Sequence, residues 1–402
     1  MKYIRRSLAS VVQNASRSFK CVLLSGPRQV GKTTLLRAIA EPNRREVTLD
    51  DPAARQLARR DPELFLATYP PPVLIDEVQY APELFPFIKM RVDNTDETGL
   101  YWLTGSQPFQ LMKNVSESLA GRVAILNLQG LSEAERAGRE EKPFVPAYKE
   151  AESPWDSRLK MAEVIYRGSF PQIAAVPGTD VGLYMSSYVA TYLSRDIRDL
   201  VKASHEHEFM TFLACLAART GQLLNANNIA QDVGVSAPTI RSWISILESS
   251  GIIFLLHPYH NNLTKRAIAT PKVFFTDTGL ASYLCGYRSA EELERSQIFG
   301  HLFENWAVVS VLKSWWHSGK NCDAWFYRDK EGHEIDLLLR DAMRLYPVEI
   351  KLSANPNVAE VEANIGALRS TGTKLEPAAV LCLARNNQPI AKDLYRIGVG
   401  SI

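Results

Sequence analysis

Gly26-Pro27-Arg28-Gln29-Val30-Gly31-Lys32-Thr33 follows the apolar run Cys21-Val22-Leu23-Leu24 and leads into Thr34-Leu35-Leu36-Arg37-Ala38-Ile39-Ala40. The order is buried strand, glycine-bounded loop, helix start. G-x-x-x-x-G-K-[ST] in that context is the pattern of a phosphate-binding loop. The glycines let the backbone curl until successive N–H groups face one anion. The helix that follows turns its positive end on the same anion. Gly26, Pro27, Arg28, Gln29, Val30, Gly31, Lys32, Thr33 and Thr34 are therefore the expected nucleotide contacts. Lys32 has the reach for β- and γ-phosphates, and the Thr33 hydroxyl is a ligand for Mg²⁺.

Pro72-Val73-Leu74-Ile75-Asp76-Glu77 is a second apolar strand, ending in two carboxylates. Asp76 is the expected metal-side carboxylate. Glu77 is the candidate base that orients and polarises an attacking water. A small-molecule kinase has no water to activate, so Glu77 argues against one. The strand Leu100–Thr104 ends in Gly105-Ser106-Gln107, placing Ser106 to sense a γ-phosphate. Further on, Ser118-Leu119-Ala120-Gly121-Arg122 offers Arg122 as a stabiliser of transition-state charge, in its own or a neighbouring subunit. The alternative makes Ser106 and Gln107 helix caps and Arg122 a surface arginine.

Apolar strand candidates at Cys21–Ser25, Glu46–Leu49, Val73–Asp76, Leu100–Thr104 and Val123–Leu128 alternate with helical patterns such as Thr33–Ala40 and Glu83–Val92. That alternation predicts an α/β fold: a parallel sheet with helices on both faces and ligands at the carboxyl ends of its strands. At 402 residues the chain has room for two or three domains. Lys plus Arg (46) nearly balances Asp plus Glu (44), so the net charge of +2 selects no partner, although a local basic patch suffices for nucleic acid. Cys21, Cys215, Cys285, Cys322 and Cys382 are scattered and form no Cys-x-x-Cys pair. A disulfide scaffold and a zinc cluster are not expected, and a reducing cytoplasm fits. Met1–Arg6 is basic without a following apolar run, so no signal peptide is expected, and no stretch approaches the ~18 apolar residues of a membrane span.

Residues 1 to about 130 resemble the AAA-type ATPases that bacteria and archaea pair with a C-terminal domain of unknown function (DUF4143). The phosphate loop, Val73–Glu77, Leu103-Thr104-Gly105-Ser106 and Leu119-Ala120-Gly121-Arg122 carry the likeness. Arg167-Gly168-Ser169-Phe170-Pro171 and Tyr192-Leu193-Ser194-Arg195-Asp196-Ile197 extend it downstream, as motifs without a settled biochemical role. What the resemblance implies is ATP binding and hydrolysis; it names no substrate.

The reading divides the chain into an ATPase domain (1–135), a charged, proline-containing linker (136–156), a helical and winged-helix region (157–285) and a C-terminal α/β domain (286–402). Tyr184, Tyr188 and Tyr192 recur at four-residue spacing, the mark of a packing stripe rather than a ligand box. A helix near Glu208–Arg219, then Asn225–Val233, the turn Gly234-Val235-Ser236, the helix Ala237–Ser249 and the strands Ile252–Leu256 and Val273–Thr276 have the order of a winged helix. In a DNA reader, Ala237–Ser249 enters the major groove. Its one basic residue is Arg241, beside Trp243 and Ile244, and the wing adds Lys265, Arg266 and Lys272. That is a thin basic footprint, and a packing or protein-contact role stands beside the DNA role.

The last hundred residues hold a second constellation. Glu304 opens an apolar helix, Asp336 starts a strand, and Glu349-Ile350-Lys351 lies on a strand thirteen positions later. Strand alternation puts Glu349 and Lys351 on one face. Carboxylates from Glu304, Asp336 and Glu349 with the Lys351 ammonium suit Mg²⁺-assisted attack of water on a phosphodiester. These positions resemble the PD-(D/E)xK nuclease superfamily, which implies a restriction-endonuclease-like fold. A surface ion pair, or a nuclease-like fold that binds without cutting, remains the alternative. The functional expectation is an ATP-driven switch coupled to a nuclease. Its competitors are an ATPase that only binds DNA, RNA or a protein partner, and a phosphotransferase. A homo-oligomer is also compatible with Arg122 acting between subunits.

Overall fold

The computed structural model describes residues 3–106, 118–193, 206–260 and 270–402. Strands β1 (Cys21–Ser25), β2 (Arg45–Thr48), β3 (Val73–Asp76), β4 (Tyr101–Gly105) and β5 (Val123–Asn127) form one sheet in the order β2-β3-β4-β1-β5, with every neighbouring pair parallel. Each strand lies within one residue of its expected bounds. β1, β3 and β4 are buried along their whole length, as a parallel sheet covered on both faces requires. Side-chain alternation splits β1 between two cores, Cys21 and Leu23 into one, Val22 and Leu24 into the other. The helices Leu8–Ser18, Lys32–Ile39 and Leu84–Asp93 cover these faces. The consequence is that Gly26, Glu77 and Ser106 emerge side by side from the carboxyl ends of β1, β3 and β4.

Downstream, the helices Arg158–Arg167, Pro171–Ala175 and Val181–Tyr188 precede the helix Glu206–Ala217. The helix expected over residues 181–201 ends as an α-helix at Tyr188 and gives way to a π-type turn over Val189–Leu193. The Ser194-Arg195-Asp196-Ile197 motif and the Tyr192 side chain lie outside the described residues. The winged-helix order is present. Asn225 caps Ala226–Val233, Gly234 ends it at φ 80°, Ser236 caps Ala237–Ser249, and β6 (Ile253–Leu256) pairs antiparallel with β7 (Lys272–Phe275).

The C-terminal sheet has the order β12-β13-β11-β10-β9-β8, with β8 (Asp323–Arg328), β9 (Glu334–Asp341), β10 (Arg344–Lys351), β11 (Ala378–Cys382), β12 (Gln388–Ala391) and β13 (Leu394–Gly398). β8, β9 and β10 form an antiparallel meander, and β11 and β13 continue it in parallel. The helix Phe299–Trp316 is buried around almost its whole circumference, because it packs both on this sheet and on the helical region. Asn305 at its centre is fully buried; it accepts from Phe275 N (2.7 Å) and donates to Phe275 O (2.7 Å), fastening β7 to the helix.

Residues 136–156 carry little regular structure, as a linker should, but they are not a free tether. Phe144 is buried; its N–H donates to Ser314 Oγ (2.9 Å) and its carbonyl accepts from Trp315 Nε1 (2.9 Å). Glu152 bridges to Asn386, and Ser153 Oγ accepts from Gly400 N. The segment is a strap bound along the C-terminal part. Its prolines and charges hid this, because the bonds that hold it are made mainly by its backbone, with the Phe144 ring and the Ser153 hydroxyl beside them.

A buried polar cluster closes the junction. Arg6, 3% exposed, ion-pairs with Glu135 (3.0 Å), and Glu135 Oε2 lies 3.5 Å from His317 Nδ1 at the end of the long helix. Burial pushes the His317 pKa down to about 3 against the attraction of Glu135, helped by the nearby Arg6 and Lys313 cations, so the ring is neutral in the folded protein. An unfolded histidine takes up its proton near pH 6.5, and the folded one refuses it until about pH 3. The stability that follows is complete above that ordinary value and drains as pH falls, by up to about 1.4 kcal/mol per pH unit. The difference in urea midpoint between wild type and His317→Gln should therefore change steadily from pH 6.5 to 4.5, with wild type losing more. Parallel curves would place the acid sensitivity elsewhere.

Candidate functional site

The phosphate loop is built by backbone constraint. Gly26 sits at φ 141°, where an added Cβ would run into the Leu128 carbonyl, and Gly31 at φ 92° starts the helix Lys32–Ile39. Lys32 is buried and donates to the carbonyls of Gly26 (3.1 Å) and Pro27 (2.9 Å), so its ammonium lies inside the loop's curl. Asp76 accepts from Thr33 Oγ1 (2.6 Å), Thr104 Oγ1 (2.5 Å) and Thr48 Oγ1 (3.3 Å). The adjacent Thr33 hydroxyl and buried Asp76 carboxylate are an all-oxygen donor pair of the kind Mg²⁺ takes. Arg28, Gln29, Val30, Gly31, Lys32, Thr33, Thr34 and Glu77 line a cavity of about 760 Å³. Tyr3, Ile4, Arg6, Leu131, Pro171, Gln172 and Ala175 form other parts of its wall. Apolar groups from the N-terminus and from the Arg167–Pro171 motif thus face the phosphate loop, a lining suited to a nucleobase.

Glu77 lies in the left-handed region at φ 55°, at the turn out of β3. Its N–H donates to Thr104 Oγ1 (3.1 Å), and its Oε2 accepts from Ser106 Oγ (3.0 Å) and from the Gln79 amide. Ser106 therefore holds the candidate base; Gln107 and the residues up to 117, on which the helix-cap alternative depends, lie outside the described residues. Nothing in the sequence marks Gln79 for this contact beyond its two-residue spacing from Glu77. Arg6 was missed as well: it donates to Val30 O (2.7 Å) and Gln129 O (2.7 Å), pinning the loop from behind. Arg122 does not reach this site within the chain. It precedes β5 at the amino edge of the sheet and pairs with Asp93, one strand length (about 16 Å for five residues) from the carboxyl edge where the nucleotide loop lies. The sequence motif could not show which end of the strand it occupied.

The C-terminal residues do come together. The antiparallel register sets Leu337 opposite Val348, so Asp336 neighbours Glu349, and Asp336 Oδ2 accepts from Ile350 N (2.8 Å). Lys351 Nζ lies 3.2 Å from Glu349 Oε2 and 3.4 Å from Glu360. Glu349 is almost fully buried; Asn364 donates to its Oε1 (3.2 Å), and its Oε2 faces the Lys351 ammonium. Burial and the Asp336 charge push its pKa up to about 8 against the pull of Lys351. Glu304 approaches from the long helix as expected, but Lys272 holds it (2.9 Å) and also pairs with Glu334 (2.7 Å). Burial and Asp336 raise the Glu304 pKa to about 7. Glu304, Asp336 and Glu349 do not converge to within 4.8 Å of one another; among the described residues only Asp329, Glu331 and His333 do so.

Lys272 is thus no part of a basic wing face: it is buried under the C-terminal carboxylates. Lys265 and Arg266 lie outside the described residues. Trp243 and Ile244 are buried as well, Trp243 against Phe209 and Phe212, which leaves Arg241 exposed on that helix. Tyr184 and Tyr188 are buried against Phe170, with ring centroids 5.3 and 4.7 Å away, the packing role expected of them.

Three family models match the chain: an AAA domain over residues 18–137, a domain of unknown function (DUF8612) over 158–291 and a domain of unknown function (DUF4143) over 299–400. The uncharacterized proteins Rv2008c of Mycobacterium tuberculosis and Mb2031c of Mycobacterium bovis are each 29% identical to it over 359 residues, 88% of this chain and 75% of theirs. Among solved structures, the Walker-type ATPase PABY2304 of Pyrococcus abyssi aligns over 71% of this chain and 98% of its own, at 15% identity and a TM-score of 0.44. The RuvB Holliday junction branch migration motor of Thermotoga maritima aligns over 61% and 86%, at 19% identity and a TM-score of 0.28. The N-terminal part is an AAA-type P-loop ATPase domain and the C-terminal part a DUF4143 domain. No helix among the described residues is long and apolar enough to cross a membrane.

Lys272→Met leaves Glu304 and Glu334 without their shared cation in a largely buried site. Breaking a buried pair from one side costs about 3–5 kcal/mol. Glu304→Gln added to Lys272→Met should recover part of that loss, because a neutral amide needs no counter-charge. Denaturant unfolding of both variants checks this; a double variant no more stable than the single one would show that Lys272 acts by packing alone.

Proposed function

We propose that the chain hydrolyses ATP at the N-terminal cavity and uses the cycle as a switch on nucleic acid, acting through its winged-helix and C-terminal parts. The observation that carries the reading is the convergence of Lys32, Thr33, Asp76, Glu77 and Ser106 at one edge of the parallel sheet. Lys32 binds the β- and γ-phosphate oxygens. Thr33 and Asp76 would hold Mg²⁺, which supplies charge neutralisation between those phosphates. Glu77 orients the attacking water and draws on its proton, and Ser106 and Gln79 fix the carboxylate that does so. Arg122 enters only as a residue offered to the site of a neighbouring copy.

For the C-terminal part, Asp336 and Glu349 would hold Mg²⁺, which supplies a polarised water, while Lys351 stabilises charge on the phosphodiester. The second reading, a domain that binds without cutting, has its own support: Lys272 already engages Glu304.

Lys32→Ala should abolish ATP turnover and weaken nucleotide binding. Glu77→Gln should bind ATP nearly as wild type does and turn over roughly 10²-fold or more slowly, as loss of a general base does. Wild-type turnover in Glu77→Gln would remove Glu77 from the role. Incubated with Mg²⁺ or Mn²⁺ and single- or double-stranded DNA and RNA, the wild type should nick a strand, and Asp336→Asn and Lys351→Ala should not. Binding without nicking in every nucleotide state would select the second reading.

A further inference from the structure

The phosphate loop is gripped from outside the ATPase domain. Gln29, at its apex, lies in the left-handed region at φ 62°, a conformation that a non-glycine residue keeps only when its surroundings hold it. Its Oε1 accepts from the Tyr184 hydroxyl at 2.5 Å, across 155 positions of sequence. Gln29 also divides two cavities. One is the nucleotide cavity; the other, about 400 Å³, is lined by Tyr184, Tyr188 and Gln172. Behind Tyr184 the structure stiffens. Its ring packs on Phe170, and the neighbouring Ser169 donates to Asp277 (2.7 Å) and accepts from the buried Lys313 ammonium (2.9 Å) of the long C-terminal helix.

We propose that Tyr184 is a positioning residue of the nucleotide site: its hydroxyl sets the Gln29 turn of the phosphate loop, so that loop geometry and the placement of the helix Val181–Tyr188 depend on each other. The inference rests on the ATPase reading above. A loop whose N–H groups must converge on phosphate binds best when its turn is already formed. Linkage then requires that nucleotide, in turn, favours the bonded arrangement of Tyr184. The Arg167–Pro171 motif gains a role from this, because Phe170 and Ser169 are what keep Tyr184 in place.

The test uses the full chain and a fluorescent ADP. Tyr184→Phe keeps the buried ring and removes one hydroxyl; Gln29→Leu removes the acceptor from an exposed position, where folding is not at stake. Each should weaken ADP binding by roughly three- to tenfold, the worth of one hydrogen bond. The double variant should be no weaker than the weaker single one. In wild type, ADP should slow hydrogen exchange across Val181–Tyr188, and in Tyr184→Phe it should not. Affinities within twofold of wild type, additive losses, or nucleotide protection that survives in Tyr184→Phe would overturn the proposal. Failure of wild type itself to bind ADP would overturn the ATPase reading, and this inference with it.

Discussion

One guanidinium holds the molecule's parts to each other. Arg6 is 3% exposed, yet its donors reach the Val30 carbonyl in the phosphate loop, the Gln129 carbonyl beyond the last strand and the Glu135 carboxylate. A buried charge survives only when its hydrogen bonds and its counter-charge are all supplied. Each of those groups is therefore fixed relative to the others. Glu135 then passes the constraint on: it caps its own helical turn through Ser132 and lies against His317 of the long C-terminal helix. Removing Arg6 would strand Glu135 in a space with almost no water. That penalty explains why the back of the phosphate loop and the C-terminal part form one packed junction rather than domains joined by a string.

The nucleotide cavity and the C-terminal carboxylate cluster use opposite electrostatic strategies. At the nucleotide site, charge is managed by dipoles: hydroxyls of Thr33, Thr48 and Thr104 surround Asp76, and loop carbonyls receive Lys32. Such a site is neutral enough to fold and can still accept a polyanion. At the C-terminal site, carboxylates crowd together and are compensated by whole cations, Lys272 and Lys351. Burial raises the pKa of Glu304 and Glu349, and both lysine pKa values rise in turn, because each carboxylate favours the charged ammonium. In a cluster balanced this way each buried carboxylate has its own ammonium, Lys272 for Glu304 and Lys351 for Glu349.

What the sequence revealed was whatever is written in local order. The strands of the first sheet, the phosphate loop, the Asp76-Glu77 pair and the winged-helix order depend on periodicity and motif spacing, and the structure reproduces them. Asp336, Glu349 and Lys351 were legible for the same reason: strand alternation fixes their faces before any tertiary contact forms. What stayed hidden was long-range partnership. Lys272 reads as one more wing cation until β7 is seen packed on the long helix. Arg122 reads as a finger for its own subunit's site until the sheet shows which edge it occupies. Arg6 lies in a basic N-terminal run that suggests solvent, and residues 136–156 look like a tether because nothing in a proline-rich stretch announces that its backbone is hydrogen-bonded elsewhere.

If nucleotide state moves anything here, the magnitudes indicate where the yielding contact must be. The Arg6–Glu135 pair and the Lys313–Ser169–Asp277 cluster are buried and charged, and opening either from one side costs several kcal/mol. Allosteric coupling is usually worth only about 1–3 kcal/mol. A ligand working within that range cannot break the charged clusters, but it can make or lose a neutral hydrogen bond of about 1 kcal/mol at the edge of its own cavity. The Tyr184–Gln29 bond is of that kind: neutral, partly exposed and directly on the loop. The charged clusters then act as fixed walls that carry a small displacement of Tyr184 into Phe170 and the helices behind it. A stiff frame with one soft contact facing the phosphates is what a nucleotide-driven switch requires, since a frame soft everywhere would absorb the change before it reached the C-terminal part.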